Sequence, residues 1–169
     1  KGIDYERASP YKDARRIREN VGTIQHPMVE REDGRWMSDT TPILLQLERE
    51  HPEPGILPEN PVVRFVAQLI EDYADEWLWR AAMHYRWSYE HDRELLSRIL
   101  TDELTSHLKI PRFLRRQMIK RRQRTGFVLR DGVTEETRGH VESGYRKILT
   151  HMSGALSERP FLLGQSPSI

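Results

Sequence analysis

The sequence predicts an α/β unit followed by an all-α one. Three observations carry that reading. Up to Glu50, short apolar segments alternate between strand-like and helix-like spacing. The stretch HPEPGILPENP, residues 51–61, contains four prolines and a glycine, so it cannot continue a helix and reads as a linker. Beyond it, apolar residues recur at helical spacing in long runs.

The elements follow in order. Residues 3–7 alternate as a strand does, and residues 11–19 read as a charged helix. Met28-Val29 and Trp36-Met37 flank EREDGR, which predicts two short antiparallel strands closed on Asp33-Gly34. Ile43, Leu44 and Leu47 then share a helix face that ends before His51-Pro52. Strand, helix, strand, strand, helix is the later part of a thioredoxin-like α/β domain whose opening strand and helix are missing, so the chain is expected to be a piece of a longer one. This domain is assigned to residues 1–52, the linker to 53–61 and an all-helical domain to 62–169. Asn60 and Pro61 supply an N-cap and a first-turn proline. From Val62 through Phe65, Leu69, Tyr73 and Trp77 to Ala81 one face stays apolar, predicting a single long helix. Further helices are predicted near residues 92–108, 111–123 and 134–156, with TGFVLRDG as a break between the last two. The closing SPS reads as another helix start.

Composition excludes several classes of function. The absence of cysteine rules out disulfides, thiolate metal sites and a cysteine nucleophile within these 169 residues. No apolar run reaches the roughly 20 residues of a membrane span, and a cytoplasmic location is the expectation. A net charge of +1 gives no whole-molecule field that selects nucleic acid. One segment departs from this balance: KIPRFLRRQMIKRRQR, residues 109–124, has eight basic residues and no acid. Its Ile110, Phe113, Leu114 and Met118 make an apolar stripe, so it reads as a docked amphipathic helix with a basic outer face, and nucleic acid is not expected as its partner. His84 and His91 are placed on one helix face, but no ligand set such as H-E-x-x-H surrounds them, so no metal is expected. Dinucleotide, P-loop and nucleophile-elbow motifs are missing.

Taken in order, KGIDYE, HPMVEREDGRWMSDTTPI, the proline linker, EDYADEWL and ERPFLLGQSPSI resemble the glutathione transferase family. The likeness runs from the second strand of that family's thioredoxin-like domain through most of its helical domain. It implies glutathione as co-substrate, a thiolate that attacks or reduces an electrophilic small molecule, and a homodimer. Pro27 stands where the family has a cis-proline, which turns the main chain of the preceding residue outward to pair with an extended peptide. His26 is then a main-chain ligand, although the family more often has a small aliphatic residue there; a trans proline in a plain turn is the other reading. Asp39 and Thr40 match the acid and hydroxyl residue at the start of the family's third helix. There the hydroxyl and helix amides suit an α-carboxylate and the acid suits an α-ammonium. The same pair also serves as an ordinary N-cap. The resemblance further implies a substrate-pocket wall from Trp79 among Trp77, Tyr85, Trp87 and Tyr89, and a cross-subunit acid in Asp72 or Asp75. Core packing and a solvated face are the alternatives for these residues. The residue that activates sulfur is expected before the first position of this chain, so none is nominated. A fold kept as a non-catalytic interaction module in translation or stress is the rival reading.

Overall fold

A computed structural model describes residues 2–8, 13–22 and 26–168. The chain separates into two compact units, with the division between Glu59 and Asn60.

The first unit contains α1 (Ala14–Val21), β1 (Met28–Glu30), β2 (Trp36–Ser38) and α2 (Thr40–Glu50). The strands pair antiparallel, Met28 opposite Ser38 and Glu30 opposite Trp36. Their turn is the one the Asp-Gly pair predicts. Gly34 adopts a φ of 81°, the left-handed conformation that costs glycine least, while the Arg35 amide donates to Asp33 Oδ1 at 3.0 Å. Both helices pack on β2, burying Ile17 of α1 and Ile43 of α2. Arg31 pairs with Glu50 at 2.7 Å, tying the hairpin to the end of α2. Two expectations change here. Residues 3–7 form no strand: the described sheet has only β1 and β2, and residues 3–7 pair with neither. The first helix begins at Ala14 and runs to Val21; Tyr11 and Lys12, where the spacing starts it, lie outside the described residues.

Residues 51–60 carry neither helix nor strand. Part of this linker is held to α2, since Glu48 Oε1 accepts the amides of Ile56 and Leu57 at 2.9 and 3.4 Å.

The second unit is helical: α3 (Pro61–Glu76), α4 (Leu78–Ser88), α5 (Glu90–Thr105), α6 (Arg112–Gln123), a π-helical turn at Arg124–Leu129, and α7 (Arg138–Glu158). Asn60 caps α3, its side chain accepting from the amides of Val62 at 2.9 Å and Val63 at 3.3 Å. The single long helix expected through Ala81 is two helices. The break at Trp77 leaves the stripe of Val62, Phe65, Leu69, Tyr73 and Trp77 exposed, while Ala81, Met83, His84 and Trp87 of α4 are buried. Met83 and Trp87 form the core with Ile119, Val128 and Val133, and Leu96, Leu100 and Leu104 of α5 pack against it. The expected break at TGFVLRDG is instead helical through Leu129. Its wider turn keeps the chain continuous with α6 while burying Val128.

The basic segment is largely accounted for by packing. Glu94 of α5 pairs with both Arg116 and Lys120 of α6, and Arg116 also reaches Ser97 Oγ at 2.9 Å. Arg112 bonds Asp102, Arg115 donates to the Thr105 carbonyl at 2.8 Å, and Arg122 lies over the Phe127 ring. Lys120 and Arg116 hold the Glu94 carboxyl below its ordinary range, with the Lys120 hydrogen bond the largest cause.

Candidate functional site

The most unusual backbone among the described residues lies where β2 meets α2. Asp39 has φ 77° and ψ 141° and is the one described non-glycine residue with positive φ. That region is close to glycine-only territory, so the surrounding structure must over-determine it. It does so from both sides. The Asp39 amide donates to the Pro27 carbonyl at 3.2 Å, and the Asp39 carbonyl accepts from Ile43 at 3.4 Å as the first bond of α2. Pro27 itself follows a cis peptide from His26. The structure thus brings His26, Pro27, Asp39 and Thr40 together at the end of the hairpin.

Asp39 occupies the N-cap position yet makes no side-chain cap. The ordinary N-cap alternative for this residue is therefore not realised. Among the described residues its carboxylate and the Thr40 hydroxyl have no hydrogen-bond partner, and both side chains are exposed. The start of α2 accordingly offers an acceptor (Asp39), a donor (Thr40) and the positive end of the helix dipole within two successive residues. His26 is exposed, and no main-chain hydrogen bond occupies its N–H or C=O among the described residues.

The aromatic run separates into three settings. Trp87 is 2% exposed and belongs to the core. Trp79 stands edge-on to Phe127, ring centroids 5.8 Å apart, beside a cavity of about 260 Å³ inside the second unit. Tyr85 and Tyr89 stack on each other at 5.7 Å, and His84 packs against both, its ring centroid 5.4 Å from Tyr85 and 5.5 Å from Tyr89. Asp72 and Asp75 are exposed on α3. His84 and His91 fall on different helices, because the extended Tyr89 separates α4 from α5. Among the described residues no group of three His, Cys, Asp or Glu is placed to hold a metal.

Sequence reasoning missed one polar cluster. Buried His84 contacts Ser88 Oγ through Nδ1 at 2.8 Å and Glu142 Oε1 through Nε2 at 3.0 Å, while the Tyr89 hydroxyl donates to the same carboxylate oxygen at 2.7 Å. These bonds, that of His84 first, hold the Glu142 carboxyl below its usual range; the bond to Glu142 holds the Tyr89 hydroxyl above its own. The partners are 58 residues apart in sequence, so local spacing carries no signal of the pair.

Comparison with family models, curated proteins and solved structures finds no match.

Proposed function

We propose that this chain is a glutathione transferase-like protein whose first unit is the later part of a thioredoxin-like domain. It binds glutathione along the hairpin end and presents the thiol to an electrophilic small molecule. The observation that carries the reading is Asp39: a residue held at positive φ, bonded through its amide to Pro27, with its carboxylate free at the start of α2. Backbone strain of this kind persists where the surroundings enforce it and clusters at ligand sites.

The chemistry fits two parts of the tripeptide, its γ-glutamyl and cysteinyl units. Asp39 accepts from the γ-glutamyl ammonium, and the Thr40 hydroxyl with the α2 amides donates to the neighbouring carboxylate. The His26 main chain pairs with the cysteinyl unit as an added strand would. Fixing the tripeptide at both places orients its sulfur and lowers the entropic part of the barrier to attack. In substitution a sulfur–carbon bond forms as the thiol proton is lost and the leaving group departs with its electron pair; in reduction two glutathione thiols are oxidised to a disulfide while the electrophile takes up the two electrons and two protons. No residue of this chain is assigned to sulfur activation. The rival reading as an interaction module drew on the basic segment, and most of those cations are engaged with α5 or Phe127.

The test is calorimetric titration of glutathione into the chain. Asp39→Ala is expected to weaken binding about tenfold or more, the scale of a lost charge-assisted hydrogen bond, and Asp72→Ala to weaken it less. Equal and negligible effects would overturn the assignment.

A further inference from the structure

Helix α6 docks by the opposite side from the one its apolar stripe predicts. Ile110, Phe113, Leu114 and Met118 are expected against the core with the cations outward. In the structure the stripe faces solvent instead, with Phe113 67%, Met118 52% and Leu114 45% exposed. Ile119 and Gln123 are the buried residues of the helix. Beside them the inward cations meet acceptors on α5: Arg112 reaches Asp102, Arg116 and Lys120 share Glu94, and Arg115 donates to the Thr105 carbonyl. Bulky apolar side chains exposed together along one helix face mark an interaction surface, unlike single exposed leucines.

Positive charge accompanies them. Helical spacing aligns Gln117 and Arg121 with Phe113, and Met118 with Leu114. Lys109, Arg121 and Arg124 are exposed, and their side chains make no hydrogen bond or ion pair among the described residues. No acidic residue occurs from Leu104 to Arg130. The outer face of α6 thus joins large apolar groups to cations that no neighbouring acid in sequence offsets.

We propose that this face binds an anionic phospholipid surface. A helix of this composition lies in the plane of the bilayer interface, its apolar side chains below the headgroups and its cations at the lipid phosphates. The long stems of Lys109, Arg121 and Arg124 lie along the apolar layer while their charged ends stay at the phosphates. Each cation near such a surface contributes about fivefold in affinity. With 12 residues, α6 is shorter than the roughly 20 needed to span a bilayer, so the contact is peripheral. Two other occupants fit less well. A second copy packed about a two-fold axis would set Arg121 and Arg124 against the same cations of its partner. RNA would engage the cations, but Ile110, Leu114 and Met118 offer its bases no ring to stack on. The surface uses no residue of the hairpin end and is independent of glutathione binding.

The test is cosedimentation of the full chain with vesicles of phosphatidylcholine alone or mixed with phosphatidylserine, at low and high salt. Binding is expected to be about tenfold or more tighter to the mixed vesicles and to weaken with salt. Phe113→Ser combined with Leu114→Ser removes apolar contact, and Arg121→Gln combined with Arg124→Gln removes charge. Each pair is expected to weaken binding about tenfold or more. These positions are exposed, and far-UV circular dichroism of both variants is expected to match that of the native chain. Lys147→Gln, which removes an exposed cation of α7, is expected to leave binding unchanged and so separates this face from net charge. No vesicle binding, equal binding to neutral and mixed vesicles, binding that survives both double substitutions, or capture of single-stranded RNA with vesicles left unbound would each overturn the proposal.

Discussion

Asp39 shows what one residue can and cannot reveal from sequence. Its acid-hydroxyl pairing with Thr40 was legible; its φ of 77° was not, since contacts from Pro27 and α2 impose that angle. The strain has a measurable consequence. A non-glycine residue in this region costs about 1–3 kcal/mol, part of which glycine's greater unfolded-state freedom offsets. Asp39→Gly is therefore expected to stabilise the fold by about 1 kcal/mol in urea unfolding while impairing glutathione binding. A destabilised variant would show that the conformation is not strained. Hydrogen-bonded carboxylates set the pH response at this scale: Asp33, Glu50 and Asp102, and also Glu94 and Glu142. Glu94 and Glu142 have folded pKa values below the ordinary 4.5. Their contribution to stability is complete above the unfolded value and is lost as pH falls through the depressed folded values. Acid titration of helicity is expected to show stability falling below about pH 4.5, and Glu94→Gln and Glu142→Gln to make that fall shallower. An unchanged acid slope in both variants would contradict the assigned hydrogen bonds.

Elements were read well where a local signal marked their ends. Asn60-Pro61 identified the start of α3, and the cap geometry agrees: two amides converge on Asn60 Oδ1. Asn60→Ala is expected to cost about 1 kcal/mol, measured by thermal unfolding. The α3–α4 break escaped because the apolar spacing runs through Trp77 without a proline or glycine to interrupt it. The π-helical turn escaped for the opposite reason. Gly126 and Gly132 read as punctuation, yet packing of Phe127 and Val128 carries the helix past the first of them. Trp87 joins these elements, and Trp87→Ala is expected to cost about 3–5 kcal/mol through the cavity it leaves. A loss below 1 kcal/mol, about the effect of an ordinary surface change, would remove Trp87 from the centre of the core.

At the scale of the whole chain, the linker's prolines made the two-part organisation legible before any contact was known. Relative stability was less legible, because it depends on how many side chains each unit buries. Ile17 and Ile43 are the buried apolar residues described in the first unit, whereas the second buries Met83, Trp87, Ile119, Val128 and Val133 in one cluster. Amides of β1 and β2 are therefore expected to exchange with solvent hydrogen sooner than those of α4 and α6, and glutathione to slow exchange in the first unit. The glutathione titration with Asp39→Ala tests the central claim most directly. The account predicts saturable binding by the folded chain that Asp39→Ala weakens by about tenfold or more. A folded chain that binds no glutathione, or an Asp39→Ala variant that binds it as the native chain does, would contradict it.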